Sequence, residues 1–338
     1  MAEHSKIEWT DSTWNPIRAR YWEMQDDGSG KERVGWHCVH VSEACRNCYA
    51  EGINRRLGTG LDFKPGNLFH PERVGYANGE AKLFLDETML AKPLTWRRPR
   101  MIFVCSMTDL FADFVPDAWI DQIFRVMSTA SHHIYQVLTK RPDRMRRYLS
   151  DPTLHGRIRF EARPPWPLPN VWLGTSVEDQ RRADERIPLL LDTPAAVRWI
   201  SAEPLLGPVD LRQWVGSQPI IPGASTYEDA DGLVRQDIGG GIVDGLDWVV
   251  AGGESGPSAR PTNPQWFRDL RDQCEAADVP FFFKQNGEWV SVSEVAGPGE
   301  HFKFPDGRTV RRTGKRLAGR TLDGRTHDAM PGRDHVRL

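Results

Sequence analysis

Cys38, Cys45 and Cys48 stand in the run HCVHVSEACRNCY (37–49), spaced C-x6-C-x2-C. Thiolates are soft, anionic ligands that suit iron–sulfur clusters and zinc. Three of them can hold three irons of a [4Fe–4S] cubane and leave the fourth iron open. An open iron can take a small molecule and pass it an electron, and S-adenosylmethionine is the known partner for such an iron. A Cys3His zinc site, with His37 or His40 as fourth ligand, is the competing reading. A chain of 338 residues has room for a sizeable core and should not need a metal to fold. The remaining cysteines are Cys105, at the end of an apolar run, and Cys274, on an amphipathic stretch. An odd number of cysteines, three of them clustered, argues against a disulfide framework and for metal ligation in a reducing compartment.

Other polar residues that could do chemistry follow short apolar runs. Ser106, Thr108 and Asp109 follow IFVC (102–105), and Thr139 and Lys140 follow IYQVL (134–138). Thr175, Ser176 and Glu178 follow VWLG (171–174), and Ser201 and Glu203 follow VRWI (197–200). Gly252, Gly253, Glu254 and Ser255 follow WVVA (248–251), and Lys284 and Gln285 follow PFFF (280–283). Each run is apolar on both faces, as buried parallel strands are. Helical patterns separate several of them: 117–128, with Trp119, Ile120, Ile123, Phe124 and Met127 on one face; 178–191; and 264–276, with Asn263 or Thr262 as its cap.

Strands alternating with helices mean βα units on a parallel sheet. Six such strands and one near the N-terminus predict an α/β fold, a full or partial (βα) barrel with parallel strands, plus a C-terminal extension. A doubly wound open sheet competes, but no GxGxxG fingerprint follows an early strand. The expected organisation is a barrel domain over 1–290, with loop insertions near 18–36 and 215–246, and a basic extension over 291–338. Polar residues at consecutive strand ends then form one rim, where parallel barrels keep their functional groups. Ser, Thr and Asp after a strand also cap the next helix, so each position has a plain alternative.

The net charge is −2, yet residues 301–338 hold ten Lys or Arg against four Asp. A basic tail on an acidic body suits a phosphate-bearing partner or a solvated surface. The basic runs RRPR (97–100) and RPDRMRR (141–147) fit the same partner. Without an apolar run of 18 residues or an apolar leader, neither a membrane span nor export is expected, and a cytoplasmic location is.

The segments IEWTDSTWNP (7–16) and CVHVSEACRNCYAE (38–51) together resemble the phage Gp37/Gp68-type proteins, a three-cysteine family within or close to the radical S-adenosylmethionine superfamily. The blocks FVCSMTDLF (103–111), YQVLTKRPDRM (135–145), VWLGTSVED (171–179), ISAEPLLGP (200–208), VVAGGESGPSARP (249–261), VPFFFKQNGEW (279–289) and LAGRTLDGRTHD (317–328) extend the likeness. More distantly the chain is similar to spore photoproduct lyase, through the cysteine motif, Thr108-Asp109, Thr139-Lys140 and Ser176. The superfamily's usual first gap is three residues rather than six, and its aromatic before the last cysteine is Asn47 here, with Tyr49 just after.

This resemblance implies a radical S-adenosylmethionine enzyme with a [4Fe–4S] cluster on Cys38, Cys45 and Cys48, served by a flavodoxin-like or ferredoxin-like electron donor. The cofactor's ammonium needs acceptors, which Ser106, Thr108 and Asp109 could supply. Its carboxylate needs a cation, Lys140 first and Arg141 next. Its ribose needs a carboxylate or hydroxyl, such as Ser176 or Glu178, and Gly252-Gly253 would let backbone approach adenine. Cys105 could give a hydrogen atom to a substrate radical, as a cysteine near that place does in the lyase. Glu203, Glu254 and Lys284 could contact substrate, act as acid and base, or form rim salt bridges. The substrate could be a nucleobase or nucleic acid. The alternative function is a non-catalytic zinc or Fe–S nucleic-acid-binding protein, and a metal-independent barrel enzyme is a third reading.

Overall fold

The structure, a computed structural model, describes residues 5–68, 80–158, 164–216 and 245–332, with the backbone of four short strands between 218 and 243. In chain order the strands are β1 (Ser12–Trp14), β2 (Ile17–Met24), β3 (Gly30–Gly35), β4 (Lys82–Leu85), β5 (Met101–Val104), β6 (Ile134–Thr139), β7 (Val171–Ser176) and β8 (Val197–Ala202). The short strands β9 (Gln218–Pro219), β10 (Thr226–Glu228), β11 (Val234–Gln236) and β12 (Ile242–Val243) follow. The last are β13 (Trp248–Gly252), β14 (Phe281–Gln285), β15 (Trp289–Ser291), β16 (His301–Lys303) and β17 (Thr309–Arg312). The helices are α1 (Tyr49–Leu57), α2 (Glu87–Leu90), α3 (Lys92–Thr95), α4 (Asp117–Thr129), α5 (Pro142–Leu149), α6 (Leu154–Ile158), α7 (Gln180–Leu191), α8 (Pro264–Ala276) and α9 (Lys315–Ala318).

Seven strands form one sheet in the order β1-β5-β6-β7-β8-β13-β14, with each neighbouring pair parallel. This is a parallel half-barrel, the partial (βα) barrel that the alternation of apolar runs and helices predicts. Crossover helices α4, α5, α7 and α8 return the chain beside the strand it left, so these strands keep spatial order with sequence. The side-chain period of two divides the sheet's residues between two apolar clusters. Ile102, Val104, Tyr135, Val137, Leu173, Ile200, Val249 and Phe283 join Ile123, Phe124, Ile187, Leu190, Phe267 and Leu270 of the helices in the main core. Phe103, Trp172, Trp199, Trp248, Val250 and Phe282 point to the opposite face and pack with Trp9.

That second cluster makes an aromatic floor. Trp9 meets Trp199 edge-on at 5.3 Å between ring centroids, and Trp172 meets Trp248 at 5.8 Å. Such edge-to-face pairs add to the stabilisation from burial alone. Gln136, also fully buried, donates to the Trp9 carbonyl at 3.0 Å and pins the N-terminal segment to the sheet. Two residues past Trp172 on the same face of β7 is Gly174, where a Cβ would lie 2.5 Å from the Trp199 ring.

Helix starts follow the expected chemistry. Asn263 caps α8 by accepting from Gln265 N, and Asp179 caps α7 by accepting from Arg182 N. Residues 18–36, expected as an irregular loop, instead supply a hairpin, β2 against β3, that pairs with β4 in an antiparallel three-stranded sheet. Their alternating charges read as a loop because the hairpin exposes one face over most of its length. The segment near 215–246, expected as a second insertion, lies for the most part outside the described residues. After the barrel, β15, β17 and β16 make a small antiparallel sheet. The chain then runs back along the open edge of β14, where Phe283 N donates to the His327 carbonyl at 2.8 Å and Trp248 Nε1 to the Ala329 carbonyl at 3.0 Å. That strap occupies a strand edge that would otherwise present unpaired backbone. Among the described residues no helix is long and apolar enough to cross a membrane.

Candidate active site at the carboxyl ends of the half-barrel

The cysteine loop runs from His37 to Cys48 and is fastened to the carboxyl ends of three strands. After β5, Thr108 Oγ1 donates to the His37 carbonyl at 2.6 Å. After β6, Arg141 Nη2 donates to the Val39 carbonyl at 3.3 Å. After β13, Glu254 Oε2 accepts from Asn47 Nδ2 at 3.0 Å, and the same amide reaches the Ser258 carbonyl at 2.8 Å. Just past the loop, Tyr49 donates its hydroxyl to the Ser106 carbonyl at 2.7 Å. The loop therefore lies across the end of the sheet where the polar residues gather.

All three cysteines are free and partly buried. Cys38 and Cys48 pack beside Ala50, Phe63 and Met107, with Trp36 and Ile53. Burial pushes the Cys38 thiol up to about 12, with further upward pressure from Asp109, Cys48 and Cys45 and a downward pull from Arg141. Burial also raises Cys48, against backbone N–H groups at Glu51 and Ala50 and the Lys140 charge. Cys48 is the N-cap of α1, where the helix dipole favours a thiolate.

Among the described residues no three His, Cys, Asp or Glu side chains are gathered as ligands of one metal ion. A cubane makes a different demand, since it holds its thiolates at separate corners, farther apart than the ligands of one ion. Three thiols on one fastened loop are the soft donors that such a cluster takes. Of the two histidines in the zinc reading, His37 sets its ring against Phe63 and Phe114, and His40 Nε2 faces Glu51 at 3.5 Å.

Asp109 is the tie between β5 and β6. It accepts from Phe111 N at 3.0 Å, Thr139 Oγ1 at 2.7 Å, Lys140 N at 3.0 Å and Arg141 Nη1 at 3.0 Å. Four donors fill its acceptor positions, so its contacts are within the chain. Ser106 Oγ exchanges hydrogen bonds with the Asn15 side chain, which also accepts from Met107 N at 2.9 Å. Lys140 Nζ donates to Ser176 Oγ at 3.1 Å, and among the described residues no carboxylate pairs with it. An ammonium has three donors, and this partly buried one uses one of them.

Glu178 is 1% exposed and accepts from Arg186 Nη1 at 2.9 Å, while its Oε1 has no donor. Cys105 is 3% exposed, belongs to the main core, and has its thiol pushed up by burial and by Asp109. Its φ of 55° is in the left-handed region, a strained placement for a residue with a Cβ. The glycines answer to the chain itself. A Cβ on Gly252 would lie 2.6 Å from Glu203 Oε1, and one on Gly253 would run into the Asn286 carbonyl.

The structure thus brings Cys38, Cys45, Cys48, Ser106, Thr108, Asp109, Lys140 and Ser176 to one mouth. Glu178 lies in a pair with Arg186 and Cys105 in the core. Sequence reasoning missed Asn47 as a latch and Arg260, which grips Glu254. Asn47 carried a signal, since an amide between two cysteines can tie the loop to a strand end, while Arg260 had none.

Residues 33–331 match the family described as Protein of unknown function (DUF5131), and the chain belongs to it. No curated protein and no solved structure matches.

Proposed function

We propose that this DUF5131 protein holds a [4Fe–4S] cluster on Cys38, Cys45 and Cys48 and is a radical S-adenosylmethionine enzyme acting on a nucleobase or nucleic acid. The observation that carries the reading is one juxtaposition. Three thiols on a fastened loop share the mouth of a parallel half-barrel with Lys140, a partly buried ammonium that has no carboxylate partner among the described residues. Three thiolates leave one iron of a cubane open, and an unpaired cation beside it suits the carboxylate of an amino acid.

When bound, the cluster supplies one electron to the sulfonium of S-adenosylmethionine, drawn from a flavodoxin-like or ferredoxin-like donor. The chain's own residues do the positioning. Lys140 has two N–H groups to offer a carboxylate, and Ser176 steadies its ammonium. Asp109 orders the start of the β6 crossover by gripping Lys140 N and Arg141, and Arg141 in turn holds the Val39 carbonyl of the cysteine loop. The Ser106 and Thr108 oxygens keep lone pairs for a ligand ammonium beyond the bonds they already make. Asn47 and Tyr49 fix the last cysteine from either side in sequence.

Anaerobic reconstitution with iron and sulfide, followed by electron paramagnetic resonance of the reduced protein with and without S-adenosylmethionine, tests the reading. A cubane signal that shifts with the ligand, and 5′-deoxyadenosine in the products, is the expected result. A chain that takes up zinc alone, or whose cluster ignores the ligand, would move the reading to a structural metal site in a nucleic-acid-binding protein.

A further inference from the structure

Glu203 and Lys284 stand at the ends of β8 and β14, which are not neighbours, since β13 lies between them. They meet because β13 carries Gly252 at the crossing, where even a Cβ would lie 2.6 Å from Glu203 Oε1. Across this gap Lys284 Nζ lies 3.0 Å from Glu203 Oε1, with the two side chains 18% and 12% exposed. The pair is recessed yet open to a ligand. Ser201 Oγ is 3.4 Å from Glu203 Oε2, a weak bond that leaves this oxygen acceptor capacity. Gly252 stands two residues before Glu254, which accepts from Asn47 of the cysteine loop at 3.0 Å, so the pair and the cysteine loop share one mouth.

We propose that Lys284 and Glu203 form a recognition edge for a guanine base, carried by a nucleotide or nucleic acid. Along the pair the groups run donor at Nζ, acceptor at Oε1, acceptor at Oε2. Guanine's pairing edge runs acceptor at O6, donor at N1, donor at N2, the complement in the same order. Cytosine offers guanine that same donor, acceptor, acceptor series in a base pair. No other common base meets all three positions. Uracil sets a carbonyl against Oε2, cytosine sets N3 against Oε1, and adenine leaves Oε2 without a donor. The inference rests on the proposed function in making this base the substrate, while recognition of the base needs neither iron nor S-adenosylmethionine.

Titration calorimetry of the full chain with GMP, AMP, CMP and UMP reads the selectivity directly. GMP is expected to bind at least about tenfold tighter than the other three, since a well-formed set of base contacts discriminates by that much or more. Glu203→Gln and Lys284→Met should each weaken GMP about tenfold, with iron uptake unchanged, and Lys284→Arg should retain part of the preference. Equal affinity for all four nucleotides overturns the proposal, as does GMP binding that neither variant alters. Iron and sulfide uptake without GMP binding would end this inference and leave the cluster reading standing. GMP selectivity in a chain that takes up no iron would do the reverse. Should a variant fail to fold, the selectivity of the unaltered chain still decides.

Discussion

Asn47 donates to Glu254 Oε2 at 3.0 Å, joining the gap between the second and third cysteines to a carboxylate 207 residues further along the chain. Arg260 grips that carboxylate through its backbone N at 2.8 Å, Nε at 2.9 Å and Nη2 at 2.6 Å. Burial works to raise Glu254, and the Arg260 and Asn47 hydrogen bonds outweigh it, so the group is held below its ordinary range. The acceptor for Asn47 is therefore an ionised, fixed oxygen, and the cysteine loop is set in place by the fold itself.

Asn47→Ala removes that latch, a cost of about 1–3 kcal/mol confined to the closed state of the loop, for hydrogen bonds of which one meets a charge. The expected result is faster amide exchange over residues 39–48 and slower iron uptake, with exchange in the sheet unchanged. Exchange in the loop equal to that of the unaltered chain would show that Asn47 does not hold it.

Cys38→Ser, Cys45→Ser and Cys48→Ser should each cut iron bound after reconstitution to a small fraction of the unaltered level. Cys274→Ser should not, because Cys274 is fully buried on α8 within the main core. Iron and sulfide analysis distinguishes the four, and full iron content in any of the first three would remove that residue from the ligand set.

Lys140→Met should weaken S-adenosylmethionine about tenfold, the loss of a charge-assisted bond. It should leave thermal stability unchanged or raised, since the ammonium is partly buried and among the described residues has no carboxylate to leave behind. Equilibrium binding and a thermal melt read the two effects separately. Unchanged affinity would place the ligand carboxylate elsewhere.

His133 carries a pH dependence remote from the cysteines. Its ring is fully buried, accepts from Arg100 N through Nδ1 at 3.2 Å, and meets the Pro93 carbonyl through Nε2 at 3.1 Å. The neutral ring satisfies both contacts, whereas a proton on Nδ1 would point at an N–H. Burial first, then neighbouring His132 and Arg100, lower its pKa, against the pull of the Pro93 bond. The folded pKa lies below the unfolded value of about 6.5, so the unfolded chain binds the extra proton first and stability falls as pH drops below that value. Melting temperatures from pH 7.5 to 5 should decline for the unaltered chain and decline less for His133→Gln.

Gly174→Ala tests the aromatic floor. The added methyl would lie 2.5 Å from the Trp199 ring, which is fully buried against Trp9 and Trp248 and has no room to move. Overpacking of this kind costs about 1–3 kcal/mol, read as a lower urea midpoint with an unchanged slope. A midpoint equal to that of the unaltered chain would mean that the floor yields.

Much of the frame is legible along the chain. The runs at 102–105, 134–138, 171–174, 197–200, 248–251 and 280–283 each become part of a sheet strand, extended by one or two residues at the carboxyl end in β6, β7, β8, β13 and β14. Most of those added residues are polar, Thr139, Ser176, Ser201 and Gln285 among them, and an apolar run gives no sign that the strand continues through them. The hairpin at 18–36 was less legible because one face is solvated and its charges mimic a loop. Asp109 shows the limit for side chains. Its place after a strand is plain from sequence, but its commitment to four donors on two strands depends on where β6 lies.

Residue order alone dictates the period-two and helical patterns, the number and direction of the main strands, and the presence of three thiols in one loop. These are local properties, set by side-chain polarity and spacing along the chain. Which groups share the mouth depends on the folded sheet: Lys140 with Ser176, Asn47 with Glu254 and Arg260, and Glu203 with Lys284 across Gly252. Those meetings join residues on separate strands, and they exist because parallel pairing brings distant carboxyl ends to one side of the sheet.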